Sequence, residues 1–419
     1  MPTHAPKSLS PAMKRSASLG FIFITLLVDV LGSGLLVPIL PGYIGRLSHH
    51  GISAAARDYG WLLSLYGAMQ FLFAPLFGAL SDRYGRRPIL LISLLFTGLD
   101  YIIMALAPTL VWLYVGRILS GITGASYTAA TAYIADISPP EKRAQNFGLV
   151  GAAFGVGFII GPAAGGLLGA INTRLPFWVA AGLSLANLLY GLFVLPESHA
   201  AENRRRFSWR ETSPIGAMIV LGKYPIVWGL TGALAAANLG MQCLNSTWVL
   251  FTTAKFGWTV RENGIALAAF GLIALVSQVG LSRLLLPQLG ERRAMLLGLG
   301  VGAIECAAYA LVPSGWMIYP VMLLGAIGFI SGQATQGLLS RQVSEREQGA
   351  LQGALASLAS VTGILGPVIG SSVFAYFTSA QAPMRLPGAP FLLTAVLNIL
   401  ALGLAVRTLR RKPTARAKT

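Results

Sequence analysis

Gly78-Ala-Leu-Ser-Asp-Arg-Tyr-Gly-Arg-Arg-Pro88 lies between two long apolar runs. It is too short for a domain and too charged for a bilayer, so it reads as a tight, solvent-facing turn between two membrane helices. Gly85 permits the turn, and Asp82 is spaced to cap it or to pair with Arg86 or Arg87. A charged loop that merely anchors topology is the plainer reading of the same residues.

The rest of the chain agrees with a membrane protein. Hydrophobic residues make up 55% of the 419 and charged residues 11%, against about 25% charged in soluble domains. Forty-nine glycines suit close helix packing in lipid. Twelve apolar spans, each near the ~20 residues a bilayer needs, fall at 19–41, 60–80, 88–107, 110–134, 144–170, 175–195, 223–252, 262–285, 293–312, 315–339, 347–376 and 388–406. The first run is too long for a secretion signal, contains Asp29 and has no cleavage site after it; it reads as a retained helix.

The net charge of +17 raises a nucleic-acid partner, which the placement of the charges argues against. Assigned alternately to two sides, the connections put 24 of the 31 Lys and Arg on one side and six on the other; Arg117 alone lies inside a run. That asymmetry places both termini in the cytoplasm. Cys243 and Cys306 fall in predicted helices and suggest no disulfide framework.

The polar stretch 196–222, with Arg204-Arg-Arg206, divides the chain into six spans plus six. The organisation read from this is a cytoplasmic tail 1–18, a six-helix bundle 19–195, a cytoplasmic linker 196–222, a second bundle 223–406 and a basic tail 407–419. A shift of 205 residues lays Gly85 on Gly290, Pro108 on Pro313, Tyr114 on Tyr319, Gly148 on Gly353, Gly161-Pro162 on Gly366-Pro367 and Gly165 on Gly370. Asp100 falls on Glu305. The fold expected is therefore all-α, with twelve transmembrane helices in two pseudo-symmetric six-helix bundles and a site between them near the midplane.

Of fourteen acidic residues, Asp29, Asp100 and Glu305 lie well inside apolar runs. A charge there costs about 2.5–3.5 kcal/mol even on insertion scales, so each is a functional candidate. Asp29 lies about 15 Å into the first helix. Asp100 and Arg117 sit at similar depth on either side of the short turn at Pro108-Thr109, which permits an ion pair; Arg117 can instead reach Asp29. The symmetry mate of Arg117 is Met322, so Glu305 lacks that partner. Glu305 or Asp29 is then the group placed to take up a proton, with Asp100 mainly structural.

Gly151, Gly155, Gly157, Gly161-Pro162 and Gly165-Gly166 crowd the fifth span, where small residues allow close packing and Pro162 frees a carbonyl. The uncharged polar residues Gln70, Asn238, Gln242, Asn245, Gln278, Gln333 and Gln336 are candidates to line a cavity, with interhelical hydrogen bonding the plainer role. Tyr66, Tyr101, Tyr127, Trp248 and Phe270 are candidate aromatic contacts for a drug.

Gly78–Pro88 resembles the signature loop of the major facilitator superfamily. That resemblance implies a cytoplasmic gate of Gly78, Asp82, Arg83, Gly85, Arg86 and Arg87, latched by Asp136. The matching second-half loop, Arg283 to Glu291, lacks a counterpart of Asp82. Gly157, Gly161, Pro162 and Gly165 resemble the motif of exporters in that superfamily, which implies efflux. Leu27-Val-Asp29-Val-Leu-Gly-Ser-Gly34, Leu99-Asp100-Tyr101, Gly116-Arg117-Ile-Leu-Ser-Gly121 and Gln348-Gly-Ala-Leu-Gln-Gly353 resemble the tetracycline-efflux subfamily of drug:proton antiporters. There the acids of helices one and three and the arginine of helix four are functional, and they map onto Asp29, Asp100 and Arg117. The resemblance implies a multi-pass inner-membrane exporter acting as a monomer on a small amphipathic substrate. Protons are the coupling ion, no cofactor or protein-bound metal is needed, and Mg²⁺ travels as a chelate of the substrate. Two departures stand out: Ala274 occupies the position of that subfamily's histidine and Gly302 that of its ninth-helix aspartate, one turn from Glu305. Another drug or metabolite as cargo, and proton-coupled uptake, are the alternatives. No Walker loop or nucleophile elbow suggests an enzyme.

Overall fold

A computed structural model describes residues 11–48, 51–124, 126–199, 225–344 and 347–410. These residues hold helices and no strand. The first half comprises α1 (Pro11–Leu36), α2 (Leu40–Ser48), α3 (Gly51–Tyr84), α4 (Arg86–Leu106), α5 (Leu110–Thr123), α6 (Ser126–Ile137), α7 (Pro140–Ile171) and α8 (Leu175–Val194). The second comprises α9 (Pro225–Phe256), α10 (Val260–Val276), a π-helical turn Ser277–Leu281, α11 (Ser282–Leu311), a 3₁₀ turn Gly315–Met317, α12 (Ile318–Gly325), α13 (Ile330–Ser340), α14 (Gln348–Thr378) and α15 (Ala389–Arg410). The linker residues Arg204–Arg206 lie outside the described residues.

Ten stretches among the described residues are long and apolar enough to cross a bilayer, against twelve spans expected. The difference has two local causes. The span 110–134 is divided at Gly124 into α5 and α6, each shorter than a bilayer crossing. The spans 262–285 and 293–312 run together as one stretch, Val260–Leu311, kinked at Gly290, whose φ is 71°.

The signature segment also differs from the expected turn. Residues 78–84 are helical and belong to α3; Gly85 alone is non-helical, with φ 106° and its N–H bonded 3.0 Å to the Ser81 carbonyl. A helix can carry a charged last turn beyond the apolar layer, so the charge marks where the bilayer ends and not where the helix does. Gly85 makes the corner because a side chain is strained at that φ.

Three apolar cores among the described residues set the shape. One joins both halves: Leu35, Tyr59, Met104 and Phe177 from the first pack in the same cluster as Trp248, Phe251, Tyr309 and Phe374 from the second. The other two each belong to one half, around Ile89 and Tyr133 near Gly85, and around Met295 and Leu339 near Gly290. The halves are thus fused at one end, here the far end, and separate toward the Gly85 end.

Glycines make the far-end junction close. On α7, Gly157, Gly161 and Gly165 face α1: a Cβ on Gly161 would sit 2.9 Å from the Gly34 Cα. The opposite face meets α10 of the other half, where a Cβ on Gly264 would lie 2.6 Å from the Pro162 carbonyl oxygen. Pro162 cannot donate to Phe158, and the freed Phe158 carbonyl faces Gly271. The same arrangement recurs between α14 and α3. A Cβ on Gly60 would lie 2.6 Å from the Pro367 carbonyl oxygen, and the Gly363 carbonyl that Pro367 frees faces Gly67. Gly60 and Gly67 precede Gly264 and Gly271 by 204 residues, one less than the repeat offset. The junction is a pseudo-symmetric pair of glycine–proline crossings.

Gly264→Ala should lower the midpoint of thermal unfolding, at a cost of about 1–3 kcal/mol for overpacking. Gly300→Ala, where a Cβ meets nothing within 4 Å, should not. Equal midpoints for the two variants in a thermal scan would contradict the described junction.

Candidate functional site

Between the halves lies a cavity of about 760 Å³. Its lining runs from Tyr59 and Pro367, at the far-end junction, to Pro75 and Ala356 toward the Gly85 end. Four of the five candidate aromatics line it: Tyr66, Tyr127, Trp248 and Phe270. So do Gln70, Gln242 and Asn245. Gln70 also donates 3.2 Å to the Gly124 carbonyl at the break between α5 and α6, and Asn245 donates 3.4 Å to Gln242. Gln278, Gln333 and Gln336 are exposed and line neither this cavity nor the one described below. Gln336 instead bonds Gln352 at 3.5 Å.

The charged layer sits one ring behind the cavity wall. Arg117 on α5 forms an ion pair with Asp100 on α4, and its guanidinium lies 5.4 Å from the centre of the Tyr66 ring. Asp100 is 1% exposed and the Arg117 side chain 12%. The pairing left open between Asp100 and Asp29 is therefore with Asp100. Gly116, beside Arg117, makes it possible: a Cβ there would overlap the Asp100 carboxylate. Asp29 on α1 is half-buried, and its charge acts on the same two rings, Tyr66 and Tyr101, as those of Asp100 and Arg117. Tyr101 does not reach the cavity; it is 5% exposed and its hydroxyl occupies the space left by Gly32.

Glu305 is the symmetry mate of Asp100 but has a different setting. The Tyr309 hydroxyl donates to its Oε1 at 3.0 Å, and no Lys, Arg or His among the described residues forms an ion pair with it. The carboxylate faces a second cavity of about 220 Å³ within the second half, which Asn238 also lines. Gly325 is bare there because a Cβ would overlap the carboxylate. No group of three or more His, Cys, Asp or Glu among the described residues is arranged to hold a metal ion.

At the Gly85 end, Arg86 bridges two acids, at 2.6 Å from Asp82 and 3.1 Å from Asp136. Arg83 stacks on Tyr84 at 5.1 Å, and Arg87 donates 2.7 Å to the Leu192 carbonyl. Gly78 has open space around it. A residue overlooked in the sequence, Glu197, completes the cluster. Its carboxylate accepts from the backbone N–H groups of Arg86 at 2.8 Å and Arg87 at 3.2 Å, the unpaired donors that open α4. A Cβ on Gly85 would strike that carboxylate.

The second half holds a counterpart with the charges exchanged. Glu291 and Arg341 pair at 3.0 Å. They stand 205 residues after Arg86 and Asp136, so acid replaces base and base replaces acid. The signal was present in the repeat offset, but a search for the same charges passes over it.

Residues 22–367 match the Major Facilitator Superfamily. The chain is 44% identical over 363 residues to the class C tetracycline resistance protein of Escherichia coli, spanning 87% of this chain and 91% of that one. It is 30% identical to Multidrug resistance protein 2 of Bacillus subtilis, over 84% and 88% of the two chains. Among solved structures, a bacterial homolog of the human lysosomal transporter Spinster superposes with a TM-score of 0.78 at 18% identity, over 97% of this chain and 100% of that one. That likeness is one of fold. The chain belongs to the Major Facilitator Superfamily and is a multi-pass membrane transporter rather than an enzyme.

Arg341→Glu should reduce transport several-fold with little change in thermal midpoint, because an exposed pair contributes little stability. Adding Glu291→Arg should restore transport. A double variant no better than the single one would show that the exchanged pair has no part in transport.

Proposed function

We propose that this member of the Major Facilitator Superfamily is a proton-coupled exporter of an amphipathic drug, with tetracycline the first cargo to test. The observation that carries this is the buried Arg117–Asp100 pair behind the cavity wall, in a chain 44% identical to a tetracycline resistance protein. An ion pair held in the apolar layer is kept there by function more readily than by stability.

Twelve crossings in two six-helix bundles, 19–195 and 223–406, carry the cycle, joined by the linker 196–222. The excess of basic residues on one side supports a cytoplasmic location for both termini and for the Gly85 end. On that assignment the fused far end faces outward, and the separated halves describe the inward-facing state. Cargo enters the large cavity from the cytoplasm, the glycine–proline crossings part, and the Gly85 end closes. Arg86, bridging Asp82 and Asp136, shapes the latch for that closure, and Glu197 ties the chain after α8 to it.

The proton gradient drives the cycle with no cofactor. Asp100, neutralised by a built-in guanidinium, is the fixed member of the charged layer; Glu305 or Asp29 carries the proton. Mg²⁺ travels on the cargo as its chelate, and the working unit is a single chain in the inner membrane. A second reading, export of other amphipathic compounds, is favoured by two observations. Ala274 and Gly302 replace the histidine and aspartate expected of a tetracycline pump, and the Bacillus subtilis relative is a multidrug resistance protein.

Acidified everted vesicles supply the test. Tetracycline with Mg²⁺ should release protons from vesicles bearing the wild-type chain and not from those bearing Arg117→Ala. Silence from a folded wild type would reject tetracycline, and release by quinolones or lipophilic cations would then select the second reading. Proton movement in the opposite sense would reject export.

A further inference from the structure

The two halves treat their matching acids in opposite ways. In the first, Arg117 fills the space beside Asp100 with a cation that belongs to the protein. In the second, Glu305 faces a cavity of about 220 Å³ with no such cation among the described residues. We propose that this cavity is a subsite for the protonated amine of the transported compound, with Glu305 as its counter-ion. The proposal rests on the exporter reading and adds the chemistry of the cargo to it.

Size and position favour an amine substituent. A volume of about 220 Å³ admits an ammonium with small alkyl groups and is too small for a fused-ring drug. The larger cavity of about 760 Å³ lies alongside, and Leu244 and Phe270 line both. One molecule can therefore place its rings in the large cavity and its amine in the small one. Phe270, which lines both cavities and stands edge-on to Phe329 at 5.4 Å, is an aromatic ring available to a cation there. Asn238 and Asn398 add amide side chains to the wall. In such an apolar setting the attraction between ammonium and carboxylate is far stronger than in water.

The same carboxylate cannot hold a proton and an ammonium together. Tyr309 and Cys306, on its own helix, are the titratable groups beside it. The residues facing the cavity from α9, α10, α12, α13 and α15 are uncharged, among them Asn238, Phe270, Gly325, Ser331 and Asn398. When the ammonium enters, the carboxyl O–H bond breaks, the proton passes to water in the open cavity, and an ion pair forms. Exchange of cargo for proton then occurs at one atom pair instead of through a relay.

The test compares two ligands that differ only in the amine. Binding of tetracycline and of 4-dedimethylaminotetracycline, each with Mg²⁺, to the purified full chain is measured by calorimetry, for wild type, Glu305→Gln and Glu305→Asp. Wild type should bind tetracycline about tenfold tighter than the analogue, a difference of about 1.4 kcal/mol. Glu305→Gln should bind the two equally, and Glu305→Asp should recover part of the preference. An unchanged preference in Glu305→Gln overturns the proposal, as does equal binding of both by wild type. If wild type binds neither, tetracycline as cargo fails, and N,N-dimethylbenzylamine reads the subsite alone. Its binding to wild type and Glu305→Asp but not to Glu305→Gln supports the subsite, and its failure to bind wild type overturns it.

Discussion

A guanidinium held in the apolar layer constrains everything near it. Arg117 cannot shed its proton, so it must be paired, and the surrounding chain is cut to that need. Gly116 leaves room for the Asp100 carboxylate, the Tyr66 ring covers the guanidinium, and Gly32 on α1 leaves room for the Tyr101 hydroxyl. Four helices, α1, α3, α4 and α5, meet around one charge. The arrangement also gives the repeat its asymmetry. The two halves differ at this matching position: Asp100 is paired with Arg117, and Glu305 faces a cavity.

The junction between the halves uses a different economy. Pro162 and Pro367 each remove a helical hydrogen bond, and each freed carbonyl turns toward a glycine of the other half. Contacts of this kind are close but individually weak, in the manner of Cα–H···O interactions. They suit a surface that parts and re-forms in the proposed cycle. Behind them the core that joins both halves is rich in aromatic rings, with Phe251 and Phe391 4.4 Å apart. The two crossings share their proline contacts, each 2.6 Å from a glycine's Cβ position, and differ at the freed carbonyls, 3.0 Å in one and 3.8 Å in the other.

Much of this was legible in the sequence, and the omissions have physical reasons. Long apolar runs announce crossings because no alternative satisfies their backbone in lipid. Within a run, however, every residue is apolar whether or not the helix continues, so the break at Gly124 and its counterpart at Ala326–Phe329 leave no periodic trace. Asp29, Asp100, Arg117 and Glu305 stood out because charge in such a run is costly. The amides did not sort as cleanly. Gln70 reaches the cavity while Gln333 does not, since an uncharged polar group is tolerated on either face of a helix. Glu197 was overlooked because it lies at the edge of a polar linker, where one more acid is unremarkable until its partners are seen. The Glu291–Arg341 pair was overlooked because symmetry conserved the interaction and not the sign of either partner.

The central proposal is that the two matching acids have divided their duties, Asp100 held as the partner of Arg117 and Glu305, in preference to Asp29, carrying the proton. Infrared difference spectroscopy of the purified chain during an acid–base titration tests it most directly. The account predicts that the high-frequency component of the carbonyl band, from a protonated carboxyl in an apolar site, appears as pH falls, is lost in Glu305→Gln and is retained in Asp100→Asn. A band that disappears in Asp100→Asn and persists in Glu305→Gln would reverse the assignment and contradict the account.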